Sequence, residues 1–119
     1  MTHNTALGRR GEDVAATAYI NRGYTLLERN VGYDVGEIDL VLRAPDGTTV
    51  FVEVKARSGR GYGAAEAVTG AKLTRMRHAA ARWLRGRSWR PCRFDVVALH
   101  RVAGRWEIEV FEGVDSGAR

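Results

Sequence analysis

Three charged residues in two predicted strands have the types and spacing needed for chemistry on a phosphate. Glu53 and Lys55 interrupt the apolar run VFVEVKAR two positions apart, and Asp39 interrupts the run GEIDLV. Side chains alternate along a strand, so Glu53 and Lys55 share one face. Paired carboxylates suit Mg²⁺, with water and a substrate phosphate as further ligands, and a nearby lysine can stabilise charge on that phosphate.

The hairpin that joins these two strands fixes their register. The segment at 45–47, Pro-Asp-Gly, predicts a three-residue loop with proline at the first position of a type I turn and glycine in the left-handed conformation. We therefore expect Leu40 to pair with Val52. This register places the alternating aliphatic residues of the hairpin on one face: Ile38, Leu40, Leu42, Val50, Val52 and Val54.

The same register places Asp39 opposite Glu53. Two carboxylates in such a pair have Cβ atoms about 5 Å apart, which is destabilising unless a positive charge lies between them. Glu37 would lie opposite Lys55, as in a charge ladder on a solvent-exposed face. Such a surface ion pair is the alternative interpretation of Glu53 and Lys55, and it contributes only about 0 to 1 kcal/mol. It does not explain the opposed carboxylates, so the register favours a cation site.

The rest of the chain predicts two helices and five strands in the order α-β-β-β-α-β-β. Each helix is recognised by helical spacing of its apolar or small residues and each strand by alternation. The predicted elements are a helix that begins at Asn4 or Thr5, or near Gly11, and has Gly23 just past its end as C-cap; strands at 24–31, 36–43 and 49–57; a mobile glycine-rich loop at 58–63; a helix at 71–87; and strands at 93–100 and 105–113.

Composition and charge narrow the class of protein. The 119 residues predict a single domain with a short polar tail from about Val114, and no apolar run approaches the length of a membrane span. Cys92 is the only cysteine, and the N-terminus lacks a secretory signal, so we expect a cytoplasmic location. The formal charge of +5 is the electrostatic signature of a nucleic-acid binder.

Four segments together resemble a known family. GEIDLV and VFVEVKAR, with GRRGEDVAATAY before them and RFDVVAL after them, resemble the YraN family of small bacterial proteins over residues 7–99. That family is related to archaeal Holliday junction resolvases within the PD-(D/E)xK nuclease superfamily. The resemblance implies a restriction-endonuclease-like α/β fold, an αβββαβ core with a mixed sheet and a helix on each face.

The resemblance also implies roles for particular residues. Asp39 and Glu53 correspond to the metal ligands, Lys55 to the catalytic lysine, and Glu12 to a helix-borne acid near the metal. Ile38 stands where the superfamily name has proline. The implied cofactor is Mg²⁺, with Mn²⁺ as its substitute.

Two functions follow from the sequence, and they belong to different classes. The first is a Mg²⁺-dependent endonuclease that acts on DNA, including branched or damaged DNA, and that would need a two-fold dimer to cut two strands. The second is a nucleic-acid or protein interaction module that keeps the fold without turnover. Four basic residues are the expected phosphate contacts: Arg57, Lys72, Arg75 and Arg82.

Residues outside this set have structural expectations. Asp95 is expected to support the sheet or a helix end and is not placed in the site. Trp83, Trp89 and Trp106 are expected in the core or at a partner surface rather than as platforms for base stacking.

Overall fold

Five strands form one mixed sheet in the computed structural model, which describes residues 6–59 and 70–114. The strands lie side by side in chain order; β3 and β4 are parallel, and the other neighbours are antiparallel. The predicted fold class and element order are confirmed. The elements are α1 (Ala6–Asn21), β1 (Thr25–Tyr33), β2 (Gly36–Arg43), β3 (Thr49–Ser58), α2 (Gly70–Leu84), β4 (Cys92–Val102) and β5 (Arg105–Phe111).

Side-chain alternation along the strands builds two apolar layers, with α1 on one face of the sheet and α2 on the other. At 16 and 15 residues, neither described helix is long and apolar enough to cross a membrane. The expected N-cap at Asn4 or Thr5, most of the glycine-rich loop and the tail after Val114 lie outside the described residues. The layer under α1 includes Ala15, Tyr19, Leu40, Val52 and Leu99, and the layer under α2 includes Val41, Phe51, Met76, Ala80 and Trp83.

The β2–β3 hairpin has the predicted register. Leu40 pairs with Val52, and the loop is closed by the Gly47 amide, which donates to the Ala44 carbonyl at 2.9 Å. Gly47 has a φ of 93°, a conformation that favours glycine. The pairing runs from the turn only as far as Leu40 and Val52. The predicted pairs of Asp39 with Glu53 and of Glu37 with Lys55 are therefore not part of the β2–β3 ladder, and Asp39 and Glu53 are the first residues beyond its paired part.

The predicted face of Ile38 is wrong. Ile38 packs with Val41 and Phe51 in the layer under α2, whereas Leu40 belongs to the layer under α1. The alternation shifts at Asp39, opposite a point in β1 where Asn30 has a φ of 54°. A residue in this left-handed conformation interrupts the regular pleat, so the side chains on either side of it no longer alternate.

Two glycines allow the helices to approach the strands closely. A Cβ atom on Gly11 of α1 would lie 2.7 Å from the Cβ atom of Ala56 on β3. A Cβ atom on Gly36 of β2 would lie 2.3 Å from the carbonyl oxygen of Arg75 on α2. α1 begins at Ala6, so Gly11 lies inside the helix, where its small size serves packing rather than helix stability.

Gly11→Ala is expected to destabilise the protein although alanine favours helices. The clash with Ala56 should cost about 1 to 3 kcal/mol, which exceeds the gain in helix propensity of about 1 kcal/mol. Thermal unfolding of the variant measures the effect. Gly70→Ala is the matched control, because nothing lies within 4 Å of its added Cβ atom. Equal melting temperatures for the two variants would contradict the close packing of α1 on β3.

A buried carboxylate on β4 joins α1 to the sheet. Asp95 accepts hydrogen bonds from the Tyr19 hydroxyl at 2.8 Å, from Nε and Nη2 of Arg93 at 2.9 Å each, and from the Gly113 amide at 3.1 Å. Burial, the charge of Asp95 and this hydrogen bond raise the pKa of Tyr19, so its hydroxyl remains a donor. Asp95 thus supports the sheet, as expected from the sequence.

Candidate functional site

Asp39 is held where the β2–β3 ladder ends. Its side chain is buried, and Oδ2 accepts a hydrogen bond of 2.7 Å from the Val54 amide. In an unbroken antiparallel ladder a backbone carbonyl of β2 would accept that bond. Val54 directly follows Glu53, so the Asp39 carboxylate lies beside the backbone of Glu53.

Glu53 and Lys55 lie together on the face of β3 that carries α2. The Lys55 Nζ atom is 3.8 Å from Oε2 of Glu53, and each side chain is only 13% exposed. Lys72 of α2 lies close to Lys55: burial lowers the pKa of Lys55, and the Lys72 amine lowers it further, while Glu53 raises it. The structure therefore brings a carboxylate and two amines together in a largely desolvated place.

A depression between β2, β3 and α2 contains part of this group. It is lined by Glu37, Glu53, Lys72, Arg75 and Met76. Glu37 was expected only as a rung of a charge ladder with Lys55, and its presence here was missed. The register already placed Glu37 on the face of Glu53 and Lys55; what the sequence did not show is that Lys72 and Arg75 of α2 lie beside it.

Glu12 lies on the α1 side of the sheet. It is fully buried, and its Oε1 atom is 3.4 Å from Nη2 of Arg29 on β1. Arg29 also pairs with Asp13 at 2.8 Å. The structure does not assign Glu12 to the group formed by Glu53 and Lys55, and its role near a metal stays a prediction. Arg29, the neighbour that compensates the Glu12 charge, was missed because the sequence does not show which β1 residue faces α1.

The four basic residues expected to contact phosphate have different surroundings. Arg57 is exposed on β3, where its charge contributes to the lowered pKa of Lys55. Lys72 and Arg75 line the depression beside Glu53. Arg82 lies further along α2, where it pairs with Asp34 at 3.0 Å and lies over the Tyr33 ring at 5.4 Å. Lys72 and Arg75 are therefore the better placed to hold a phosphate near Glu53.

The donor set is compatible with Mg²⁺ bound through two protein carboxylates. In the described residues no three carboxylate, imidazole or thiol groups lie close enough to hold a metal ion among themselves. Mg²⁺ commonly takes one or two carboxylates and fills its octahedron with water and substrate phosphate. Asp39 and Glu53 are the residues that would supply such oxygen ligands, and the amines of Lys55 and Lys72 suit a phosphate rather than a cation.

Comparison with known proteins gives a family. Residues 11–99 match the family described as "Uncharacterised protein family UPF0102". A UPF0102 protein of Corynebacterium efficiens is 56% identical, covering 99% of this chain and 98% of its own length. Proteins of the same description from Corynebacterium glutamicum and Corynebacterium diphtheriae are 51% and 45% identical, each over at least 97% of both chains.

Proposed function

Because the chain belongs to the UPF0102 family, as its resemblance to the YraN proteins predicted, we propose a function from the chemistry of its own site. In this proposal the protein is a Mg²⁺-dependent nuclease-like protein that binds DNA and hydrolyses phosphodiester bonds. Mn²⁺ can replace Mg²⁺, and branched or damaged DNA is the proposed substrate class.

One observation carries this proposal: a buried aspartate interrupts a strand ladder beside a desolvated glutamate and lysine. A purely structural ion pair has no need of Asp39 at the end of the ladder, where its side chain replaces a backbone acceptor. Nor does it need a second amine, since Lys72 makes the positive charge of Lys55 harder to maintain. An anion from outside the protein would relieve both amines.

The proposed roles follow from these positions. Asp39 and Glu53 would hold the cation, which when bound supplies Lewis-acid polarisation of the phosphate and a lowered pKa for an attacking water. Lys55 stabilises the negative charge that develops on the phosphate. Lys72 and Arg75 bind the neighbouring phosphate oxygens and orient the strand. Glu12 is kept as a proposed supporting acid on the α1 side.

The test is cleavage of a panel of linear, flapped and four-way DNA substrates by the purified chain with Mg²⁺, with Mn²⁺ and with EDTA. We expect nicking that requires a divalent cation and that is lost in Glu53→Gln. Glu109→Gln, at an exposed position of β5, is the control for the same change of charge. Metal-independent binding without any cleavage would favour the alternative, a non-catalytic nucleic-acid or protein interaction module.

Mg²⁺ is expected to raise the melting temperature of the wild-type protein but not that of Asp39→Asn. Cation binding to the folded state alone stabilises it by about 1.4 kcal/mol at ten times the dissociation constant. Asparagine keeps an oxygen that can accept the hydrogen bond of the Val54 amide, so the fold should persist without the ligand charge. Differential scanning fluorimetry with and without Mg²⁺ measures the shift, with Glu109→Gln as control. A wild-type shift in Asp39→Asn would exclude Asp39 as a ligand.

A further inference from the structure

Trp89 is the most exposed large apolar side chain of the described residues. It lies in the segment that joins α2 to β4, and 85% of it is exposed, whereas Trp83 of α2 is 4% exposed. The expectation that the tryptophans lie in the core or at a partner surface is confirmed for Trp83, which lies in the core. An indole exposed to this extent contributes little to the core. Whether it can take part in binding depends on the groups near it.

Arg87 and Arg90 lie on either side of Trp89 in this segment, and Arg43 is close enough to feel the charges of both. Arg43 at the end of β2 donates a hydrogen bond to the Thr49 hydroxyl. Arg87 donates from Nε to the Trp83 carbonyl at 2.7 Å, and its guanidinium lies 3.7 Å from the centre of the Trp83 ring. Nη1 of Arg90 reaches the β2–β3 turn, 3.5 Å from where a Cβ atom of Gly47 would lie.

Arg43, Arg87 and Arg90 have no acidic partner within the part of the chain that the structure describes. None of the three forms an ion pair with a carboxylate of residues 6–59 or 70–114. Burial lowers the pKa of Arg43, and the charges of Arg90 and Arg87 lower it further. Three guanidinium groups held near one another without an acid form a place for an anionic ligand.

We propose that Trp89, Arg43, Arg87 and Arg90 form a second nucleic-acid surface that binds single-stranded DNA, with a base stacked on the indole and phosphates on the arginines. An acidic peptide would satisfy the arginines but offers no flat ring for Trp89. Stacking of bases on exposed aromatic rings beside basic groups is the usual mode of single-strand binding. The inference rests on the proposed function only for the class of ligand.

The surface lies at the far end of β3 from the candidate site. Thr49, which contacts Arg43, is six strand positions from Lys55, or about 20 Å. One strand of a duplex covers that distance in about six nucleotides. The outer face of α2 connects the two places, because the polar residues Arg75, His78 and Arg82 recur three or four positions apart on it and Arg85 follows just past its end. A strand held at Trp89 could thus extend along α2 to Glu53.

The test measures binding of dye-labelled oligothymidylates of 4 and 16 nucleotides to the full chain in EDTA, by fluorescence anisotropy. We expect Trp89→Ala to weaken binding of the 16-mer by about 5- to 150-fold. Trp89→Phe should retain most of the affinity, because it keeps an aromatic face. Ile108→Ala, at another exposed apolar residue, is the control. Arg90→Glu should weaken binding and lower its salt dependence, unlike Arg105→Glu on β5.

Two results would overturn the inference. The first is a 16-mer affinity that does not change in Trp89→Ala. The second is preferential binding of polyglutamate, lost in Trp89→Ala, which would assign the surface to an acidic protein. The outcome is separate from that of the nuclease proposal. Trp89-dependent binding without metal-dependent cleavage would support the second surface and contradict the nuclease proposal. Metal-dependent cleavage without Trp89-dependent binding would support the nuclease proposal and contradict the second surface.

Discussion

Lys55→Met is expected to lower metal-dependent cleavage by about 100- to 1,000-fold, the usual effect of removing one group that stabilises transition-state charge. Methionine is close to lysine in length and keeps the apolar part of the contact, so the change removes mainly the charge. Asp39 and Glu53 are untouched, and the Mg²⁺-dependent rise in melting temperature should remain. Single-turnover cleavage at saturating Mg²⁺ measures the effect on the chemical step.

The same variant should not be less stable than the wild type at neutral pH. The pKa of Lys55 is lowered in the folded state, so its ammonium opposes folding at every pH below that pKa, and the opposition fades as the pH rises through it. Methionine removes this penalty. A gain of stability together with a loss of activity is typical of a functional residue. Unchanged cleavage in Lys55→Met would remove lysine from the mechanism, and Arg105→Met controls for loss of a positive charge.

Asp95→Ala is expected to destabilise the protein by about 3 to 5 kcal/mol, because it leaves a partly buried guanidinium without its carboxylate. Arg93 would lose two hydrogen bonds, and the buried Tyr19 hydroxyl and the Gly113 amide would each lose their acceptor. Folded domains are stable by only about 5 to 15 kcal/mol, so this is a large share. Urea denaturation at neutral pH measures the loss.

Two further variants make this prediction specific. Asp95→Asn keeps one carbonyl oxygen as acceptor and should lose less stability than the alanine variant. Asp46→Ala, which removes an exposed carboxylate from the β2–β3 turn, should change stability little. An alanine variant at position 95 as stable as that at position 46 would show that α1 is held to the sheet without the Asp95 network.

The sequence predicted the hairpin because its determinants are local. Pro45 and Gly47 specify the loop, and the alternation of the apolar residues specifies the register, so the pairing of Leu40 with Val52 followed from neighbouring residues alone. The face of Ile38 did not follow. It depends on the left-handed conformation of Asn30 in the adjacent strand, which a pattern of apolar residues cannot reveal.

The contributions of α2 and of the segment that follows it were harder to predict, because they also depend on contacts between elements. Lys72 reaches Lys55 because α2 packs closely on Gly36, and this contact depends on how a helix docks rather than on helical periodicity. Trp89 has a large apolar side chain of the kind usually found in a core, but it lies after the end of α2, where it is exposed. Sequence patterns thus indicate which residues share an element, whereas packing decides which elements meet.

The strand order has a consequence for how the chain folds. Three of the four strand pairings join neighbours through short turns, but the parallel pairing of β3 with β4 must close a segment of 33 residues between Ser58 and Cys92. Closing a long segment costs conformational entropy before the contacts between the two strands can stabilise it, so parallel pairing is slow to form. Glu53 and Lys55 lie together on β3 from the start, whereas Lys72 arrives with the crossover. We therefore expect the candidate site to be complete only when β3 and β4 have paired.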